Sequence, residues 1–131
     1  MGGFLGFCYR QLTFVPKPLP SNLKLDGKTA LITGANIGLG FETARELVSH
    51  NLSRLIIGAR DLKKGEEARA IISGEHPDCE CHVWHLDHEN YNSIVDFASR
   101  AASIDGSIDY ILLNAGLKKI CLLYTSDAAD E

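Results

Sequence analysis

No stretch of this 131-residue chain approaches the run of apolar residues, roughly 20, that a membrane-spanning helix needs. Cysteine is scarce. Cys8, Cys79, Cys81 and Cys121 show no framework spacing, which sets aside a disulfide-stapled fold and fits reduced thiols in a cytosolic setting. No charge of one sign dominates: the formal net charge is −4, but Asp127, Asp130 and Glu131 crowd the last five residues, and without them thirteen bases face fourteen acids. That balance favours neither nucleic acid nor an anionic membrane as partner. A secretory signal is lacking too, because the apolar stretch from Met1 to Tyr9 has no basic start and too short a core. Gly2 stands where a myristoylated glycine would, yet position 6 is Gly6 rather than Ser or Thr, so that motif fails. There is no low-complexity tract. The composition is that of an ordinary soluble globular protein, long enough for one domain with a core and too short for a full six-stranded doubly wound sheet.

What is present is concentrated in residues 29–40. An apolar run of strand length, Ala30-Leu31-Ile32, leads into Thr33-Gly34-x-x-x-Gly38-x-Gly40, and a helical pattern follows at once. Glycine belongs where a backbone must turn tightly and come close to a pyrophosphate. The helix that follows offers free N–H groups and the positive end of its dipole to the anion. The motif therefore reads as a dinucleotide site.

Alternating elements flank it. Residues 1–22 read as an arm, with Phe4, Leu5, Phe7 and Tyr9 followed by Pro16, Pro18 and Pro20. The prolines argue against helix and central strand there, and the arm is expected to lie over the domain surface, with a docking segment for a membrane or partner as the alternative. Asp26-Gly27 is a turn signal before a strand over 28–33. A helix is expected over 39–52, with Phe41, Ala44, Leu47 and Val48 inward. The wholly apolar run 55–59 suits a strand buried on both faces of a parallel sheet. Asp61 is placed to cap a helix over 62–73, with Ala68, Ile71 and Ile72 inward and Gly74 ending it. A third strand is expected over 81–87. A helix with Tyr91, Ile94, Val95, Ala98 and Ala101 inward comes next, then a fourth strand over 108–113 ending at Asn114-Ala115-Gly116. Such alternation implies right-handed crossovers and a parallel sheet of spatial order 3-2-1-4, the first half of a doubly wound α/β fold. The domain is expected over 23–120. Residues 121–131 resemble the translation of a transposon-type sequencing adapter and are set aside from fold reasoning as a non-native tail.

With its Thr-Gly-x-x-x-Gly-x-Gly spacing, the strand before it, the helix after it and the later Asn-Ala-Gly, the chain resembles the short-chain dehydrogenase/reductase family over about residues 23–119. The resemblance implies a Rossmann-type NAD(P)-binding fold with its C-terminal half missing. It implies that Gly34, Gly38 and Gly40 shape the turn under the pyrophosphate. Ile37 and Leu39, in the same loop, are to touch the nicotinamide half mainly through backbone. Asp87 matches the family's adenine-contacting acid, with a helix cap or solvated loop acid as the bland alternative. Asn114, Ala115 and Gly116 match the motif that steadies the fourth strand beside the ribose, although Leu113 stands where the family usually has a first Asn.

The end of the second strand bears on the cofactor. An NAD site places Asp or Glu there to hold the ribose 2′-hydroxyl, whereas Arg accommodates a 2′-phosphate. Here the residue is Arg60, twenty positions after Gly40, with Lys63 or Lys64 one helical turn further on. NADP(H) is favoured over NAD. Against this stand Asn36, where many NADP-dependent relatives carry a base, and the plainer role of Arg60 as a loop cation pairing with Asp61.

The family's reaction moves hydride between nicotinamide and a small carbonyl or alcohol substrate. It uses a Tyr, a Lys four residues later, and a Ser. Tyr9, Tyr91, Tyr110 and Tyr124 are followed at that distance by Thr13, Val95, Asn114 and Ala128, none of them Lys. The expectation is a cofactor-binding fragment of an oxidoreductase, inactive alone and prone to associate along its fourth strand. The alternatives are a non-catalytic dinucleotide-binding sensor or scaffold and an unrelated nucleotide-binding α/β module. Cys79, Cys81, His82, His85 and His88 fall within ten residues, but strand alternation puts Cys79, Cys81 and His85 on one side and His82 and His88 on the other, so no metal site is expected.

Overall fold

The computed structural model describes residues 3–116. In chain order the elements are α1 (Phe4–Thr13), β1 (Thr29–Thr33), α2 (Gly38–Ser49), β2 (Arg54–Ala59), α3 (Leu62–Glu75), β3 (Glu80–His85), α4 (Tyr91–Ala102) and β4 (Tyr110–Leu113). The strands form one sheet in the order β3-β2-β1-β4. All three neighbouring pairs are parallel, with Ile32 opposite both Ile57 and Leu112. This is the partial doubly wound, Rossmann-type sheet that the alternation implied.

Strand periodicity divides the core between the two faces. Ile32, Leu55 and Ile57 point to one face, where Ala44 and Val48 of α2 and Ile72 of α3 cover them. Leu31, Ile56 and Trp84 point to the other, where Phe97 and Ala101 of α4 pack. Ile32, Leu55, Ile56 and Ile57 are all fully buried, each contributing about 2 kcal/mol of transfer free energy. Trp84 meets Phe97 edge to face, with ring centroids 5.8 Å apart, and the Arg100 guanidinium lies over its other surface at 4.3 Å. Helix starts follow side-chain chemistry: Asp61 accepts from the Lys63 and Lys64 N–H groups, and Asn90 from those of Asn92 and Ser93. Asp109 ties the entry of β4 to β1, its two carboxylate oxygens accepting from Lys28 Nζ and the Thr29 N–H, both at 2.9 Å.

Several expectations need correction. The arm contains a helix, α1, because Pro16, Pro18 and Pro20 restrict only their own neighbourhood and leave the ten residues upstream free to coil. Nor does that helix lie over the domain, for none of its residues is buried. Gly74 does not end α3, which continues through Glu75, and Ile71 is half exposed. The inward stripe of α4 is Ser93, Phe97 and Ala101, while Tyr91, Ile94, Val95 and Ala98 face outward. The i, i+4, i+8 spacing of the observed stripe is as helical as the expected one. The observed stripe packs Phe97 and Ala101 against Trp84, and its Ser93 hydroxyl accepts from the Asp87 N–H at 2.9 Å and lies 3.2 Å from His85 Nδ1. The expected tail, 121–131, lies outside the described residues.

Candidate functional site

A cleft of about 590 Å³ opens at the carboxyl ends of the strands, between the β1–α2 turn, the β2–α3 turn, the β3–α4 loop and the segment after β4. Open parallel sheets present their ligand sites there, where the strand order reverses about β1. Each wall has a local cause. The chain leaves β1 at Gly34, which has φ +68°, a value that disfavours a side chain. A Cβ on Gly34 would lie only 2.9 Å from the Ala115 Cα, so the β1 turn and the segment after β4 touch backbone to backbone. Gly40, in the first turn of α2, leaves room for the Asn114 side chain and for the Gly34 carbonyl, which a Cβ would approach to 2.7 Å. Asn114 Nδ2 donates to that carbonyl at 3.2 Å, and the Ala115 N–H donates to the buried Thr33 hydroxyl at 3.1 Å. Thr33 belongs to the glycine motif, and the sequence signal for its role is a hydroxyl directly after the apolar run Ala30-Leu31-Ile32.

The amides that open α2 have no side-chain cap, and its first turn holds no acid. Beside Gly38, at φ +64°, the space a Cβ would take is open. The start of α2 therefore presents unshielded N–H groups, whereas α3 and α4 spend theirs on Asp61 and Asn90.

Of the residues expected from sequence, Gly34, Ile37, Arg60, Lys64, Asp87, Asn114, Ala115 and Gly116 line the cleft. Gly38, Leu39 and Gly40 form the first turn of α2 behind it. Leu39 belongs to the helix rather than to a loop and is strongly exposed. Arg60 does not pair with Asp61, whose carboxylate caps α3. Its Nη1 instead reaches Glu89 Oε2 across the β3–α4 loop at 3.3 Å. Asp87 Oδ1 accepts from the Glu89 N–H at 3.0 Å, so one short turn carries both acids. Glu89 and His88 had not been anticipated as lining residues. No periodic signal marks them, since the loop that holds them is shaped by Asp87 and Ser93. The cysteine and histidine group lies elsewhere. Cys79 and Cys81 pack toward the α2–α3 face, and no three His, Cys, Asp or Glu side chains among the described residues converge as metal ligands. A hydrogen bond from Cys79 holds the Cys81 thiol down at about 7, and Cys79 is pushed up in return.

The comparisons with known proteins agree with this geometry. Residues 28–130 match the family model described as short chain dehydrogenase, so the match runs into the stretch set aside as a tail. The chain is 52% identical over 120 residues to the short chain dehydrogenase sol3 of Alternaria solani, covering 92% of this chain and 42% of that protein. The chain thus spans less than half the length of that curated relative. Two solved structures share its fold. The L-sorbose reductase of Gluconobacter frateurii, complexed with NADPH and L-sorbose, superposes with a TM-score of 0.65 at 20% identity, over 75% of this chain and 36% of that one. An NAD⁺-bound xylitol dehydrogenase gives 0.63 at 23%, over 72% and 35%. Glycine turn, strand order, crevice and sequence match converge, and the chain belongs to the short-chain dehydrogenase family of oxidoreductases.

Proposed function

We propose that this chain is the NADP(H)-binding part of an enzyme that transfers hydride between the nicotinamide and a small carbonyl or alcohol substrate. The observation that carries the choice of cofactor is Arg60. It stands at the end of β2, on the cleft wall, where an NAD site would place a carboxylate, with Lys64 lining the same wall. A guanidinium forks onto phosphate oxygens, which suits a ribose 2′-phosphate. The acid next door, Asp61, is already spent on the start of α3.

The remaining residues fit the rest of a dinucleotide. The uncapped start of α2 and the open space beside Gly38 suit the pyrophosphate. Asp87 offers an acceptor to the adenine amino group. Asn114, Ala115 and Gly116, which line the cleft after β4, would hold the ribose next to the nicotinamide. The cleft volume lies within the range of small-molecule sites. When bound, the nicotinamide supplies the hydride. The chain's own residues bind and orient it. With no Tyr-x-x-x-Lys in its 131 residues, the chain holds no acid–base pair of the family type and is expected to bind cofactor without turning over ketones. The setting proposed is cytoplasmic, in keeping with reduced thiols.

The test is a titration of the chain with NADPH and NADH, followed by cofactor fluorescence, alongside a turnover assay over a ketone panel. Saturable binding with NADPH at least about tenfold tighter supports the reading. Equal affinities refute the NADP assignment, and ketone turnover above a buffer blank refutes the binding-only role.

A further inference from the structure

We infer that α1 is an interfacial anchor that lays this protein on an anionic phospholipid surface. Phe4, Leu5, Phe7, Tyr9 and Leu12 of α1 are each at least 60% exposed, as are Phe14 and Val15 just beyond it, and no residue of the helix is buried. So much apolar surface on one short element is far from the scattered exposed leucines of an ordinary surface. The helix has ten residues, too short to span a bilayer. At 100° per residue, Phe7, Phe4, Cys8, Leu12, Leu5 and Tyr9 spread over about 200° of the circumference, interrupted by Gln11, and Gly6, Arg10 and Thr13 share the remaining strip. The Thr13 hydroxyl already donates to the Tyr9 carbonyl at 2.7 Å. A groove in a protein partner grips a helix along one stripe of anchors; an apolar arc this wide with a thin polar strip suits immersion up to the strip.

Charge selects the kind of surface. The overall balance conceals an asymmetry: residues 1–25 contain Arg10, Lys17 and Lys24 and no acid, while residues 26–120 carry a net −4. The basic end is drawn to an anionic headgroup layer and the acidic domain is pushed from it. Pro16, Pro18 and Pro20 stiffen the connection between them. The helix thus attaches while the domain, with its cleft, stands off the surface.

Co-sedimentation of the whole chain with phosphatidylcholine vesicles, with and without phosphatidylserine, tests the inference. The bound fraction is expected to rise at least about threefold with phosphatidylserine and to fall as salt is raised. The double substitution Leu5→Glu/Leu12→Glu strikes the centre of the apolar face and should abolish binding. Because neither side chain is buried, thermal unfolding of the domain should stay where it was. Arg10→Glu should reduce binding to the phosphatidylserine vesicles alone. Absence of binding by the unaltered chain overturns the inference, as does undiminished binding by the double variant. It is equally overturned by a lipid-free dimer that the double variant dissociates, since the apolar face would then seat a second copy of the chain.

Discussion

β2 and β4 look alike in sequence and differ in the structure. Both are short apolar runs paired in parallel with β1. In β2, Leu55, Ile56 and Ile57 are fully buried; in β4, Ile111 is 61% and Leu113 79% exposed. An apolar run records what a strand is built to meet, and burial records what covers it. β2 lies between two strands with helices on both faces, while β4 borders no further strand among the described residues. The cleft inherits the contrast. Its β1–β2 side grows out of the packed core, whereas its β4 side is held by Asp109 at one end of the strand and by the Asn114 and Ala115 hydrogen bonds at the other.

The largest effect is expected at the seam between the two sides. Gly40→Val puts side-chain atoms where the Asn114 amide and the Gly34 carbonyl now lie, forcing α2 away from both. Overpacking of this kind should cost about 2–3 kcal/mol of stability and abolish cofactor binding. Denaturant unfolding and NADPH titration check both parts, and a variant that binds normally would break the claim that the sides are joined there. Next in size is Arg60→Asp, on the packed side. It should weaken NADPH by about tenfold or more while leaving NADH binding level or improved, because a carboxylate repels a 2′-phosphate and accepts from a 2′-hydroxyl. Equal loss for the two cofactors would mean that Arg60 acts on something they share.

The same contrast explains what was legible beforehand. The β1–α2 motif and the Asp61 cap could be read because each is local, a glycine φ and a side chain bonding two residues on, and the strand order because right-handed crossovers between alternating strands and helices leave few arrangements. The Arg60 partner could not, since Glu89 reaches it only through the β3–α4 turn, which Asp87 and Ser93 shape through contacts with no sequence period. The inward face of α4 failed for a related reason. Ile94 and Val95 are more apolar than Ser93, yet the stripe that turns in carries Phe97 onto Trp84 and brings the Ser93 hydroxyl to the Asp87 N–H. Helix α1 is not legible from the prolines, because Pro16, Pro18 and Pro20 constrain only themselves and the residue before each, and α1 ends at Thr13.

The exposed side offers a smaller and pH-dependent test. Hydrogen bonds from the Thr29 N–H and Lys28 hold the Asp109 carboxyl below its usual value of 3.8. A carboxylate depressed on folding stabilises above its unfolded value, and the contribution is lost as pH falls through the folded one. Asp109→Ala should therefore lower the melting temperature by a few degrees at neutral pH and hasten amide exchange in β4 more than in β2. The difference between variant and parent should shrink once the pH drops below 3.8. A gap that persists in acid would assign the effect to packing rather than to charge.

The finest test asks whether the loop that escaped sequence reading tunes the packed side. Glu89 and Arg60 are both substantially exposed, and their 3.3 Å contact spans the cleft wall where a 2′-phosphate would be held. An exposed pair of this kind is worth well under about 1 kcal/mol, so releasing it changes affinity by about two- to threefold at most. If the cleft takes NADPH as proposed, the sign follows: the Glu89 carboxylate competes with the 2′-phosphate for one guanidinium. Glu89→Gln should tighten NADPH by that small factor, leave NADH unchanged, and lose its advantage as salt screens the competing charge. Weaker NADPH binding would instead make Glu89 a support that holds Arg60 in place. The division between a fixed β2 wall and an adjustable loop would then have to be redrawn with Glu89 on the fixed side.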